Sequence, residues 1–195
     1  MDSFAKFKFW LESEYFDEET KSELRSIEDN LQEIEDRFYS ELEFGTAGLR
    51  GIMGAGTGRM NKYTVRKASQ GFSDYILKKD GKDNQKSVVI AYDSRRNSSE
   101  FAFEAARVFA GNNIKTYLFD ELKPTPELSF AVRYLKADGG IMITASHNPK
   151  EYNGYKAYGP DGAQLSPEES DKVTREINRL KDISEINIAE KEEAF

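Results

Sequence analysis

Between residues 88 and 144 three short apolar runs alternate with two helical patterns, and only a few residues link each to the next. The runs lie in "SVVIAYDSRRNSS", "IKTYLF" and "GGIMIT", and in the first of them Val88 to Tyr92 is unbroken by charge and rich in β-branched residues. Runs of that kind suit strands covered on both faces. After the first run, Phe101, Ala105, Val108 and Phe109 fall on one helical face, with Ser98 or Ser99 as the expected cap and "GNN" as the stop. After the second, "KPTPELSFAVRYLKAD" is helical, with Thr125 as the expected N-cap and Pro126 at the first helical position, where a missing N–H costs nothing. Strand, helix, strand, helix, strand with short links predicts a mainly parallel sheet with right-handed crossovers, in a three-layer α/β/α arrangement. Ligands of such sheets collect outside the carboxyl ends of the strands. Those ends carry Asp93-Ser94-Arg95, then Asp120, then Thr144 through Asn148.

The flanks divide the chain into an N-terminal helical segment, 1–43, and an α/β domain, 44–195. In the first, Leu24, Ile27, Leu31, Ile34 and Phe38 recur at three- and four-residue steps and predict one helical face, the acids between them forming a solvated one. "FGTAGLRGIMGAGTGRMN" follows, with glycine at 45, 48, 51, 54, 56 and 58 and with Arg50 and Arg59 inside it. Such a backbone can approach a ligand closely, but taken alone the run reads as a flexible connector. Val65, Ala68, Phe72, Tyr75 and Ile76 line one side of a further helix that "KKDGKDNQ" ends. Beyond the third strand, "EYNGYKAYGPDGAQLS" carries Asn153-Gly154 and Pro160-Asp161-Gly162 as turn signals and predicts a hairpin or a pair of turns. A last helix starts with Ser166 as cap, Pro167 first and Glu169 third. The tail after Leu180 is charged and weakly patterned.

Several function classes fall away on composition. With 28 Lys+Arg against 35 Asp+Glu, the net charge of −7 advertises no nucleic-acid surface. There is no cysteine, so disulfides and thiolate metal sites are excluded. No run of 18 or more apolar residues marks a membrane span, and the first twenty residues lack the apolar core of a signal peptide. A cytoplasmic protein is the expectation.

The stretch "GGIMITASHNPKEYNGYK" concentrates the remaining chemistry. A buried-looking strand runs straight into a hydroxyl, the only histidine of the chain (His147) and an amide, closed by an Asn-Pro turn, and Lys156 follows ten positions after Ser146. Either this is an ordinary turn or it handles a small anion. Neighbours on an extended chain point to opposite faces, so a serine activated by the next histidine is disfavoured, and the G-x-S-x-G pattern of hydrolases is absent. Phosphoryl chemistry fits better, because it needs cations and oriented donors around charged oxygens. Arg50 can fork onto phosphate oxygens. Lys156 can serve as a point charge or, with a depressed pKa, as an acid or base. Ser146 could carry the phosphoryl group itself.

"TASHNP" (144–149) with "NGYK" (153–156) resembles the phosphoserine loop of the α-D-phosphohexomutase superfamily. "FGTAGLRG" (44–51) resembles its arginine loop, and "YDSRRNS" and "KPTPELSFAVR" resemble further segments in the expected order. The likeness spans roughly residues 40–180 and, within the superfamily, is nearest to bacterial phosphoglucomutases of the longer, phosphopentomutase-like branch. It implies that Ser146 carries a phosphoryl group, hands it to a sugar monophosphate and takes back the other one, so that α-glucose 1-phosphate and glucose 6-phosphate interconvert through glucose 1,6-bisphosphate. It implies Lys156 as general acid or base and His147 on the active-site surface with a part in proton transfer. Arg50, Thr144, Asn148 and Lys156 are implied as phosphate and substrate contacts, and Asp93 and Arg95 as supports of the loops. The implied cofactor is Mg2+, held in part by the phosphate on Ser146. The implied partners are a small sugar phosphate and the remaining domains of the same polypeptide.

One departure qualifies this. The family's proteins have four domains and about three times this length, and their metal is held by a D-x-D-x-D-R loop that has no counterpart here. The chain therefore resembles the first domain in isolation, expected to fold alone and to lack appreciable mutase activity. Sister mutases acting on mannose or pentose phosphates share these motifs, and a non-catalytic sugar-phosphate binding module is the reading from another class.

Overall fold

The computed structural model describes residues 2–46, 48–79 and 85–190. Residues 80–84 of the stretch expected to end a helix lie outside these, as do Ala47 of the glycine-rich run and the last five residues of the tail.

Three short helices come first: α1 (Ser3–Glu12), α2 (Glu18–Arg25) and α3 (Leu31–Phe38). Each starts on an Asp or Asn, and the side chains of Asp2, Asp17 and Asn30 accept from the backbone N–H groups of Ala5, Thr20 and Glu33. Such caps satisfy donors that a first helical turn leaves orphaned. The run from Leu24 to Phe38 is thus not one helical face. Arg25 ends α2, and Asn30 restarts the chain by turning its side chain onto the backbone. Leu24, Ile34 and Phe38 are buried, but Leu31 stands at the first position of α3 and is 71% exposed. The three helices enclose an aromatic cluster. Trp10 lies flat on Phe16 with ring centroids 4.2 Å apart, and Phe38 and Tyr63 meet Trp10 edge-on. Tyr63 and Ala55 tie this cluster to the rest of the chain.

The sheet has five strands in the order β1-β5-β4-β2-β3: β1 (Gly48–Ile52), β2 (Ser87–Tyr92), β3 (Lys115–Leu118), β4 (Gly139–Ile143) and β5 (Tyr152–Tyr158). β4, β2 and β3 run parallel, as predicted; β5 is antiparallel to β4, and β1 to β5. Val88, Ile90, Ile141, Ile143 and Tyr155 face one core with α4 (Lys62–Lys78), α5 (Ser98–Gly111) and α7 (Pro167–Arg179). Val89, Ala91 and Met142 face the other with α6 (Thr125–Tyr134). The period-two alternation of strand side chains therefore fills two cores at once, and the three-layer α/β/α arrangement follows. Among the described residues, no helix is long and apolar enough to cross a membrane.

Other local expectations meet corrections. Asn153-Gly154 is no turn but lies near the start of β5. Gly154 is needed there for close approach, since a Cβ would sit 2.7 Å from the Thr144 carbonyl oxygen and 2.9 Å from that of Leu49. The Pro160-Asp161-Gly162 turn does form, with Gly162 at φ 76°. Ser98 is the first residue of α5 and not its cap; the N-cap is Asn97, left-handed at φ 63°, because the Ser98 hydroxyl is used on Asp93. Pro124 is the N-cap of α6, one residue before Thr125. The capping box at Ser166 and Glu169 forms as expected.

The glycine-rich run is no flexible connector. It includes β1, and beyond it the backbone lies against α3. A Cβ on Gly56, at φ 130°, would stand 2.8 Å from the Arg37 carbonyl oxygen. The tail docks as well, with Ile186 buried and Ala189 hydrogen-bonded to the Arg107 carbonyl.

Candidate active site

The carboxyl end of β4 leads directly into Thr144-Ala145-Ser146-His147-Asn148. Thr144, nearly buried, accepts through Oγ1 from the Ser146 N–H at 3.0 Å, and the Asn148 N–H closes a turn on the Ala145 carbonyl at 3.0 Å. These bonds put Ser146 at φ 55°, the left-handed region that non-glycine residues seldom occupy. The premise that Ser146 and His147 lie on an extended chain is therefore corrected. The strand has already turned, and the partner of the serine comes from elsewhere. The Lys156 ammonium, on β5, donates to Ser146 Oγ at 2.7 Å. The ten-residue spacing seen in the sequence is the length of a loop that folds the chain back alongside its own strand.

Arg50 reaches the same loop from β1, where it pairs in register with Gly154, and its guanidinium donates to Asn148 Oδ1 at 2.9 Å. Arg95, from the turn after β2, lies beneath. Its guanidinium donates to the carbonyls of Ser146 (2.9 Å), Asn148 (2.6 Å), Pro149 (2.9 Å) and Tyr152 (3.0 Å). Asp93 accepts from the Arg95 N–H and from the Ser98 hydroxyl. Asn153, fully buried, donates to Ser98 Oγ and to the Arg96 carbonyl.

Ser146, Lys156, Thr144, Asn148 and Arg50 thus converge, in the pairs Ser146–Lys156, Ser146–Thr144 and Arg50–Asn148. His147 is exposed on the outer edge of the loop and takes no part in these bonds. Asp120, at the end of β3, stays out of the cluster; its carbonyl accepts from the Tyr92 hydroxyl. Arg59, the other arginine of the glycine-rich run, is buried against Asp36 and serves the fold. Asn153 and Ser98 were missed as supports of the site in the sequence, because Asn153 beside a glycine reads first as a turn and Ser98 before a helical pattern reads first as a cap.

The cluster is cationic. Among the described residues, neither Arg50 nor Lys156 has a carboxylate within ion-pair distance. Burial, and next the nearby Arg50 charge, hold the Lys156 ammonium below the usual lysine range, with Asp93 opposing. A cavity of about 310 Å³ opens beside these two residues and is lined also by Thr46, Gly48, Gln164 and Leu165. A hydroxyl in contact with an amine of lowered pKa, beside an uncompensated guanidinium, can exchange a proton and attract an anion.

Residues 41–184 match the family model for the phosphoglucomutase/phosphomannomutase α/β/α domain I. The chain belongs to this family. It is 53% identical over 154 residues to a phosphoglucomutase of Staphylococcus haemolyticus, and 51% identical over 158 residues to one of Staphylococcus aureus strain USA300. These alignments cover 79% and 80% of this chain but only 28% of each relative. A Thermus thermophilus structure provisionally named a phosphomannomutase superposes with a TM-score of 0.64 at 33% identity, covering 71% of this chain and 30% of that one. Paramecium parafusin, a phosphoglucomutase, shares the fold, with a TM-score of 0.61 at 24% identity over 72% of this chain and 26% of its own. The domain I match includes β1, all of the Ser146 loop and α7, and begins after α3.

Proposed function

We propose that this chain is the phosphoryl-carrying first domain of a cytoplasmic phosphoglucomutase, with Ser146 as the carrier. The observation that carries the reading is the 2.7 Å contact between Lys156 Nζ and Ser146 Oγ at the end of a parallel strand. In the proposed reaction the phosphorus–oxygen bond to Ser146 breaks as one to a hydroxyl of glucose 1-phosphate or glucose 6-phosphate forms. Lys156 returns a proton to Ser146 Oγ. The proton lost by the sugar hydroxyl goes to a base on the sugar's side, and His147 is the candidate on this chain. The glucose 1,6-bisphosphate so formed turns round in the cleft and returns its other phosphoryl group to Ser146. Arg50, with Thr144 and Asn148, holds the phosphoryl oxygens. Glucose phosphates are preferred over mannose phosphates because the relatives near 50% identity bear the phosphoglucomutase name.

The described residues do not by themselves fit the magnesium ion that family resemblance implies. No group of three or more His, Asp or Glu among them could hold a metal ion, and Ser146 Oγ is faced by cations. Its carboxylate ligands belong to the remaining domains, and no step of this chain's own chemistry runs through it.

The test is a chimaera in which residues 41–184 replace the matching segment of the Staphylococcus haemolyticus phosphoglucomutase. Quenched during turnover on labelled glucose 1,6-bisphosphate, it should hold label at Ser146. An active chimaera that never traps label there refutes the carrier. The 195-residue chain alone should show no turnover in a coupled assay from glucose 1-phosphate; turnover at the rate of the chimaera refutes the division of labour between domains.

A further inference from the structure

A left-handed serine at a strand end must be held by something, and its own neighbours do not suffice. The hydrogen bonds inside the loop are few: Ser146 N–H to Thr144 Oγ1, Asn148 N–H to the Ala145 carbonyl and Tyr152 N–H to the Pro149 carbonyl. Four carbonyls, those of Ser146, Asn148, Pro149 and Tyr152, instead converge on one guanidinium. That group is held in turn. Asp93 lies 3.6 Å from Arg95 Nε and accepts the Arg95 N–H, Ser98 donates to Asp93, and buried Asn153 donates to Ser98. Asn153 also accepts, through Oδ1, from the Gly154 N–H in β5, two residues before Lys156. One network thus reaches both the backbone of the serine and the strand of the lysine.

We propose that Arg95 is a positioning residue: its planar fork, spread over four carbonyls, sets the conformation of the 146–152 loop so that Ser146 Oγ meets Lys156. Lysine cannot replace it, because an ammonium has three donors on one nitrogen, too few and too close together to span four carbonyls. The inference deepens the carrier reading and rests on it only for the activity arm of the test.

The structural arm uses this chain and needs no turnover. Amide hydrogen exchange is followed in the parent, in Arg95→Lys, in Arg95→Ala, and in Arg96→Ala, whose exposed side chain serves as a neighbouring control. In both Arg95 variants the hydrogen-bonded loop amides of Ser146, Asn148 and Tyr152 should exchange about tenfold faster or more, since the converging carbonyls lose a charged partner. The amides of β2 and β4 should keep their parent rates, which separates loss of the loop from loss of the fold. Low-millimolar guanidinium should restore protection in Arg95→Ala, and methylammonium should not. Loop amides that exchange at the parent rate in both variants, or protection restored equally by methylammonium, would overturn the proposal.

In the activity arm, the chimaera carrying Arg95→Ala should lose kcat more than it gains in KM, and guanidinium should recover kcat. Unchanged kcat in that variant also overturns it. If the chimaera turns over without labelling Ser146, the carrier reading fails, and hydrogen exchange still decides the role of Arg95.

Discussion

Two surface loops of this chain are each organised by an arginine, yet they differ in what happens to their charge. Along 54–59 the glycine-rich backbone rests on α3. Arg37 is paired with Glu23 and Glu33 and also donates to the Ala55 carbonyl. Glu23 accepts the Ala55 N–H, and Arg59 is paired with Asp36. Every cation there meets a carboxylate. Along 144–152 Arg95 is taken up by backbone carbonyls, and Arg50 and Lys156 are left with amide and hydroxyl partners only. A loop whose charges cancel internally stabilises a fold; one whose cations lack counter-ions is prepared for an anion from outside.

The widest gap between the two loops should appear on removal of the hydroxyl. Ser146→Ala in the chimaera is expected to lower kcat at least about 10⁴-fold, as deletion of a covalent carrier does. Retention of a tenth of the activity in a steady-state assay would place the chemistry elsewhere. Next comes Lys156→Met, with a fall of about 10² to 10⁴ in kcat, the range of a general acid or base, and a smaller change in KM. A change confined to KM would reduce the lysine to a binding charge.

Gly56→Ala probes the neutralised loop. Its backbone is left-handed and a Cβ would press on the Arg37 carbonyl, so urea unfolding should show a loss of about 1–3 kcal/mol. The chimaera's kcat at a temperature where it stays folded should not change. A fall in kcat without a loss of stability would erase the distinction between the loops.

The smallest expected effect is electrostatic. Burial and Arg50 together lower the Lys156 pKa. Arg50→Met removes the second cause, so the lysine titration followed by NMR should move upward, and a phosphate on Ser146 should move it up as well. In the parent the folded state binds this proton less tightly than the unfolded state. Stability from this group therefore falls as pH drops from the ordinary lysine pKa through the depressed one, and Arg50→Met should flatten that slope. A downward shift, or none, would show that Arg50 does not act on the lysine.

Much of this was legible in the residues. The alternation of apolar runs and helical patterns from 88 to 144 led to the parallel strands and the layers, because an unbroken apolar run such as 88–91 must be covered on both faces. The cluster at the end of β4 was legible in part: Thr144, Ser146 and Asn148 fall in one short stretch with Lys156 ten residues after the serine, whereas His147 in the same stretch takes no part in their bonds. The errors lie where a local signal had a second physical use. Glycine at 154 allows close approach inside a strand and no turn, and Ser98 serves Asp93 instead of capping. Leu31 repeats at helical spacing yet faces water, because Asn30 breaks the helix before it.

The succession of strands and helices from 88 to 144, the covered sheet and the identity of the residues at its carboxyl end were decided by the sequence alone, since hydrophobic periodicity and turn chemistry are local properties. Which amine meets the serine, which arginine is neutralised and which is left open were decided only by the tertiary structure. Those facts depend on β5 folding back antiparallel to β4 and on Arg95 gathering carbonyls that lie more than fifty residues away along the chain. Pairing across such separations is set by packing, and no window of neighbouring residues contains it.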